Sequence, residues 1–121
     1  MSRIKMDMGT FNGVNVSCIF EDDSIEAGTL TVPGILILKN ENVHPVMEVE
    51  GQIVTELNIM PSNFNFKKIN SGDSKKIHLI VNVPKSTEPG NYEIKIDFDF
   101  KIDTPPSTTR ALMIEVKKAV E

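Results

Sequence analysis

The side chains with the sharpest chemistry in this sequence are one cysteine, Cys18, two histidines, His44 and His78, and six methionines. Two imidazoles, a thiolate and a weak thioether are the donors of a blue-copper centre, a site that sits on a β-sandwich. Such a centre gathers its cysteine, a histidine and its methionine in one loop near the C-terminus, whereas Cys18 stands alone near the N-terminus. Cys18 also falls on the apolar side of an alternating run, where a thiol is expected to be buried and inert. His44 precedes Pro45 in a polar loop, and His78 lies on the polar side of its run, so both are expected at the surface. A four-histidine iron site fails on the count of two. A cysteine hydrolase needs a thiol beside a helix N-terminus or a cation, and Cys18 has neither in prospect.

The remaining motifs are weaker. No G-x-S-x-G, no phosphate-cradling glycine loop and no H-E-x-x-H occurs. Glu21-Asp22-Asp23-Ser24, with Glu26, offers oxygen ligands to calcium, but lacks the spaced acidic pattern of a calcium loop and reads as a solvated turn. Asn15-Val16-Ser17 matches a glycosylation acceptor, yet its place inside a strand makes it a poor one. The expectation is therefore a protein with no catalytic residue, no metal ligand and no cofactor, and not an enzyme.

The elements that would position any site are strands. From Tyr92 to Asp103, Tyr92, Ile94, Ile96, Phe98, Phe100 and Ile102 share one side, and charged residues occupy every alternate position. Period-2 alternation marks a half-buried strand, and a helix would scatter both sets around its circumference. Val14, Val16, Cys18 and Phe20 alternate with polar residues and Ile19. Met47, Val49 and Ile53 alternate with Glu48, Glu50 and Gln52. Ile77, Leu79, Val81 and Val83 form another inner set, as do Leu112, Ile114 and Val116. Ile35-Leu36-Ile37-Leu38 is apolar on both sides, which suits a central or interface-facing strand, and a short strand is expected over Phe64 to Ile69. Turn chemistry punctuates these runs at Asn12-Gly13, Pro33-Gly34, Asn40 to Pro45, Ser71-Gly72-Asp73, Pro89-Gly90 and Thr104 to Thr109. The pattern predicts an all-β, immunoglobulin-like Greek-key β-sandwich of about seven antiparallel strands. A small open barrel is the alternative.

Length and charge set the outer bounds. At 121 residues, 40% hydrophobic and 25% charged, the chain is expected to form a single domain over 1–121, with its core at about 10–118 and frayed ends at Met1 to Met8 and Lys117 to Glu121. The net charge of −4 argues against a non-specific nucleic-acid binder. No apolar run is long enough for membrane insertion. Met1 to Lys5 begins basic without an apolar stretch behind it, so it does not read as a signal peptide.

The stretch from Ile69 to Ile94 combines a Gly72-Asp73 turn, an alternating strand, Val83-Pro84, a loop, and Pro89-Gly90-Asn91-Tyr92-Glu93-Ile94. It resembles a recurring block of prokaryotic immunoglobulin-like domains. Gly28 to Val32 and Ile35 to Asn40 are similar to the strand that ends in an asparagine loop in those domains. The nearest group is the CARDB-like accessory domains of bacterial and archaeal surface proteins, matched over roughly residues 28–116. The resemblance implies a sandwich and a structural role for Tyr92, whose hydroxyl would return to upstream backbone, and it transfers no catalytic motif.

Two functions follow as expectations. The first is a non-catalytic structural or adhesion-type module of a surface protein, located at the cell surface or outside the cell if the chain is a fragment of a longer protein. The second is an intracellular or viral structural protein, cytoplasmic if the chain is whole, that self-assembles through sheet edges or an apolar face. Both expect a protein partner or self-association, with a homodimer as the default form. The expected contact face carries Leu36, Leu38 and Ile80, with Ile19 and Met113 as further apolar residues outside the inner sets.

Overall fold

The computed structural model describes residues 3–100 and 106–119. Its strands are β1 (Ile4–Phe11), β2 (Val14–Phe20), β3 (Ser24–Glu26), β4 (Val32–Asn40), β5 (Val46–Thr55), β6 (Asn58–Met60), β7 (Asn63–Ile69), β8 (Ser74–Asn82), β9 (Gly90–Asp99), β10 (Ser107–Thr108) and β11 (Leu112–Lys117). The first sheet has the order β1-β2-β4-β8-β6. The second has the order β3-β11-β9-β5-β7, with β10 beside β9. Neighbours are antiparallel except β3 and β11, which run parallel. Among the described residues there is no helix, and so none long and apolar enough to cross a membrane.

Alternation places the core as expected for four runs. Val14, Val16, Cys18 and Phe20 point inward from β2, and Ile77, Leu79 and Val81 from β8. Ile94, Ile96 and Phe98 do so from β9, with Phe100 just beyond it, and Leu112, Ile114 and Val116 from β11. Each large side chain so enclosed contributes about 2–3 kcal/mol relative to exposure. Lys101, Ile102 and Asp103 of the expected long strand lie outside the described residues, as do Thr104 and Pro105 of the expected turn.

Four strands exceed the expected seven. β3, β6 and β10 span three residues or fewer, too short for a period to register. β1 corrects the expectation of a frayed N-terminus. Ile4, Met6 and Met8 turn inward and pack on the core, Met8 with no exposure at all. The β1–β2 register slips by one at Met8, a bulge where Gly9 takes a φ of 116°. The Gly9 amide donates to Asp7 Oδ1 at 2.9 Å, and Asn15 Nδ2 donates to the same oxygen at 3.2 Å. These bonds, with Arg110 nearby, hold the exposed Asp7 carboxyl below its ordinary pKa.

Met47 is a second correction. It was expected inside with Val49 and Ile53, but it is 49% exposed, and Val46 is buried instead. Glu48 has a left-handed backbone, φ 54°, and both Glu48 and Lys67 drop out of the β5–β7 pairing. The alternation inverts on both strands there, so Val46 and Ile69 face the core. A single left-handed residue is enough to shift the face of every residue beyond it.

Two features close the ends of the sandwich. At one end, Phe98 meets Phe11, Phe64 and Phe100 at ring-centroid distances of 5.6–6.0 Å. Gly51 makes room for this cluster: a Cβ there would come within 2.1 Å of the Phe64 ring. The β4–β5 loop is held by Asn40, which is fully buried. Its Nδ2 donates to the carbonyls of His44 and Ile69, and its Oδ1 accepts from the amide and side chain of Asn42. Asn42 in turn donates to the Asn12 carbonyl, which ties in the β1–β2 turn.

Tyr92 is half-buried at the start of β9, and its hydroxyl donates to the Glu88 carbonyl at 2.6 Å. This is the upstream backbone contact expected from the sequence.

Candidate functional site

The residues with nucleophilic or ligating chemistry do not converge. Cys18 is 1% exposed, and burial pushes its pKa up to about 12. A thiol in that state supplies neither a nucleophile nor a metal ligand near neutral pH. His44 is exposed in the β4–β5 loop, and His78 is exposed on the outer side of β8. Among the described residues no group of three or more His, Cys, Asp or Glu side chains is placed to hold a metal ion. In the acidic turn, Asp22 Oδ1 accepts from the Ser24 amide, a local turn contact. Asn15, the glycosylation-like asparagine, is held within the sheet by Asp7 and Thr10.

The outer side of β5, β7 and β9 carries a wide depression of about 610 Å³ lined by Glu50, Gln52, Asn65, Asp97 and Asp99, with Phe64 and Pro106. Its groups are tied to neighbours on the same surface. Thr108 Oγ1 donates to Asp97 Oδ1 at 2.7 Å, and Asn65 Nδ2 donates to Glu50 Oε1 at 3.0 Å. This is a solvated polar sheet face.

The outer face of the first sheet differs. Ile19 of β2 lies opposite Ile35 of β4, which lies opposite His78 of β8. In the adjoining row Pro33 lies opposite Ile80, which lies opposite Met60 of β6. Ile80 is 47% exposed and Met60 70% exposed, while Ile19 and Ile35 are half-buried beside them. Together Ile19, Pro33, Ile35 and Ile80 line a depression of about 320 Å³, with Arg3, Glu21 and His78 at its margin. Further along the same face, Ile37 is flanked by Ser17 and Lys76. These residues form an apolar strip on a sheet surface whose other outward positions are mostly polar or charged.

The expected contact face of Leu36, Leu38 and Ile80 is therefore corrected. Leu36 and Leu38 have no exposure and belong to the core, whereas Ile80 points outward. Ile35 and Ile37 hold the outward positions of β4. A strand apolar on both sides gives no phase from its own residues, so parity alone could not be assigned. Asn40 shares the parity of Leu36 and Leu38, and its burial marks their side as inner. Met113, grouped with these residues in the sequence, is exposed on the other sheet beside Val54 and Tyr92.

No protein-family profile matches the sequence, and no curated protein matches it. Solved structures do. One is the complex of zinc α-2-glycoprotein and prolactin-inducible protein from human seminal plasma, a chain of which matches at 9% identity and a TM-score of 0.50. That match covers 96% of this chain and 92% of the other. Another is SSP-19, an MSP-domain-like protein of Caenorhabditis elegans, at 13% identity and a TM-score of 0.47, covering 78% and 94% of the two chains. A third is the GAE domain of GGA2p from Saccharomyces cerevisiae, at 11% identity and 0.46, covering 96% and 100%. Likeness at this level speaks to the fold, and nothing among these comparisons supports a CARDB-like or prokaryotic assignment. The chain is an all-β, immunoglobulin-like β-sandwich of two sheets.

Proposed function

We propose that this chain is a non-catalytic protein-interaction module that works as an accessory domain of a surface protein and binds through the outer face of its first sheet. The observation that carries this reading is the strip of Ile19, Ile35, Pro33, Ile80 and Met60, apolar side chains half-buried or exposed on the outside of the first sheet. The margins of the strip name the partner's chemistry. Lys5 lies opposite Ile19 and Lys76 opposite Ile37, and Arg3 stands at the margin against one carboxylate, Glu21, on a chain whose net charge is −4. The partner is therefore a protein surface with an apolar centre and carboxylates around it, since complementary rims steer encounter and fix register.

A photo-reactive amino acid placed at position 80, and separately at position 93 on the other sheet, tests this in the native cell. Position 80 is expected to give a discrete cross-linked partner whose purified form binds the purified chain, and position 93 is expected to give none. Equal cross-linking at both positions, or a partner that binds an Ile35→Lys, Ile80→Lys double variant as well as the wild type, would overturn it.

A further inference from the structure

A second surface lies at the side of the sandwich, along β8. On one side β8 pairs with β4 from Ser74 to Val81. On its other side only Ile80, Val81 and Asn82 are paired, with β6. Among the described residues, Ser74 to Leu79 have no strand and no other backbone partner on that side. An open row of amide and carbonyl groups of this length is a template for one more strand.

The flanks of this open edge are basic. Lys75 and Lys76 lie on β8, and Lys67 and Lys68 lie on β7, the edge strand of the facing sheet. The two strands meet where Lys75 Nζ sits over the Phe66 ring, 5.9 Å from its centroid. Among the described residues none of the four lysines makes an ion pair. Asp73 in the adjoining turn and Glu48, next to the Met47 that pairs with Lys68, are carboxylates on these segments, and neither makes an ion pair with the lysines. Lys75 and Lys76, unneutralised cations on the unfilled strand itself, make a local field that selects an anionic strand, on a chain of net negative charge.

We propose that the Ser74 to Leu79 edge of β8 binds an extended acidic peptide segment of another protein, which adds to the first sheet as a strand. The main-chain ladder supplies affinity and the lysines supply selectivity, the division of labour found when peptides extend sheets. Alternation fixes what the segment must carry. Side chains on its outer side lie beside Lys76 and His78, and those on its inner side beside Lys75 and Ile77, so carboxylates are favoured outside and an apolar residue next to Ile77. This edge adjoins the outer face described above and shares Lys76 with its rim; Ile80→Lys, which alters the outer face and not the open ladder, separates the two readings.

The test uses the full chain and a fluorescent, end-blocked heptapeptide that alternates glutamate with valine, read by anisotropy. Binding is expected, and it should weaken by about tenfold when salt rises from about 50 mM to about 200 mM. A peptide N-methylated at alternate ladder positions should lose about tenfold or more, because each methyl removes a main-chain donor. Lys75→Glu with Lys76→Glu should abolish binding, while Ile80→Lys leaves it in place. If polyglutamate or heparin binds as tightly as the alternating peptide, or N-methylation changes nothing, the surface is a charge patch and the proposal fails. If nothing binds, the lysines only guard a bare edge against unwanted pairing, and the proposal fails as well.

Discussion

The side-chain amide of Asn40 donates to the main-chain carbonyl of Ile69 at 3.0 Å, in a position with no solvent exposure. That bond joins the end of β4 in one sheet to the end of β7 in the other. The same side chain donates to the His44 carbonyl at 2.9 Å and accepts from Asn42, so every polar atom it carries is used. Replacing it strips partners from several groups at once, and each buried group left bare costs about 1–3 kcal/mol. Asn40→Ala is expected to destabilise the chain by about 3 kcal/mol, lowering the melting temperature by roughly 10 °C. Asn40→Asp should be no better, since a carboxylate cannot donate to the two carbonyls. Thermal unfolding followed by circular dichroism reads both, and a loss below about 1 kcal/mol would mean the loop is held by its backbone alone.

Gly51 and Phe64 form a second coupled pair. They lie opposite each other on β5 and β7, and the ring occupies the space that a Cβ at position 51 would fill. Gly51→Ala is expected to cost about 1–3 kcal/mol, as overpacking does. In a Phe64→Leu background the same change should cost clearly less, because the obstructing ring is gone. Urea unfolding of the four proteins in this cycle gives the coupling. Simple additivity would show that the penalty comes from the backbone and not from the ring.

Cys18 should behave as an inert thiol. Burial raises its pKa to about 12 from the 9.0 of an exposed thiol, so the folded state disfavours the thiolate. The sign follows: the unfolded chain releases its proton first, so stability is undiminished below about pH 9 and falls as pH rises from there toward about 12. Ellman's reagent at pH 8 is expected to label Cys18 only as fast as the chain opens. Cys18→Ala should abolish labelling and lower stability modestly through lost packing. Rapid labelling of the folded protein would show the thiol to be accessible.

Much of this architecture was legible in alternation, and the exceptions have physical causes. β2, β8, β9 and β11 each set polar against apolar residues, so their inner faces could be read directly. β4 could not, because Ile35, Leu36, Ile37 and Leu38 present apolar groups to both sides. That one ambiguity sent Leu36 and Leu38 to the contact face and left Ile35 off it. Met47 was misplaced because nothing in Glu48 announces a left-handed backbone. The Ile4, Met6 and Met8 period of β1 was present but lay where chains usually fray. The edge lysines were visible as residues, whereas the open ladder beside them depends on β6 being three residues long.

The outer face of the first sheet is the centre of the functional reading, and a hydrogen-exchange footprint tests it most directly. With the partner captured at position 80 added in excess, amide exchange should slow across Ile19, Ile35 and Ile80 and their neighbours on β2, β4 and β8, while the outer-facing segments of β5 and β11 stay unchanged. Protection confined to β5, β9 and β11, or none in the first sheet, would contradict it.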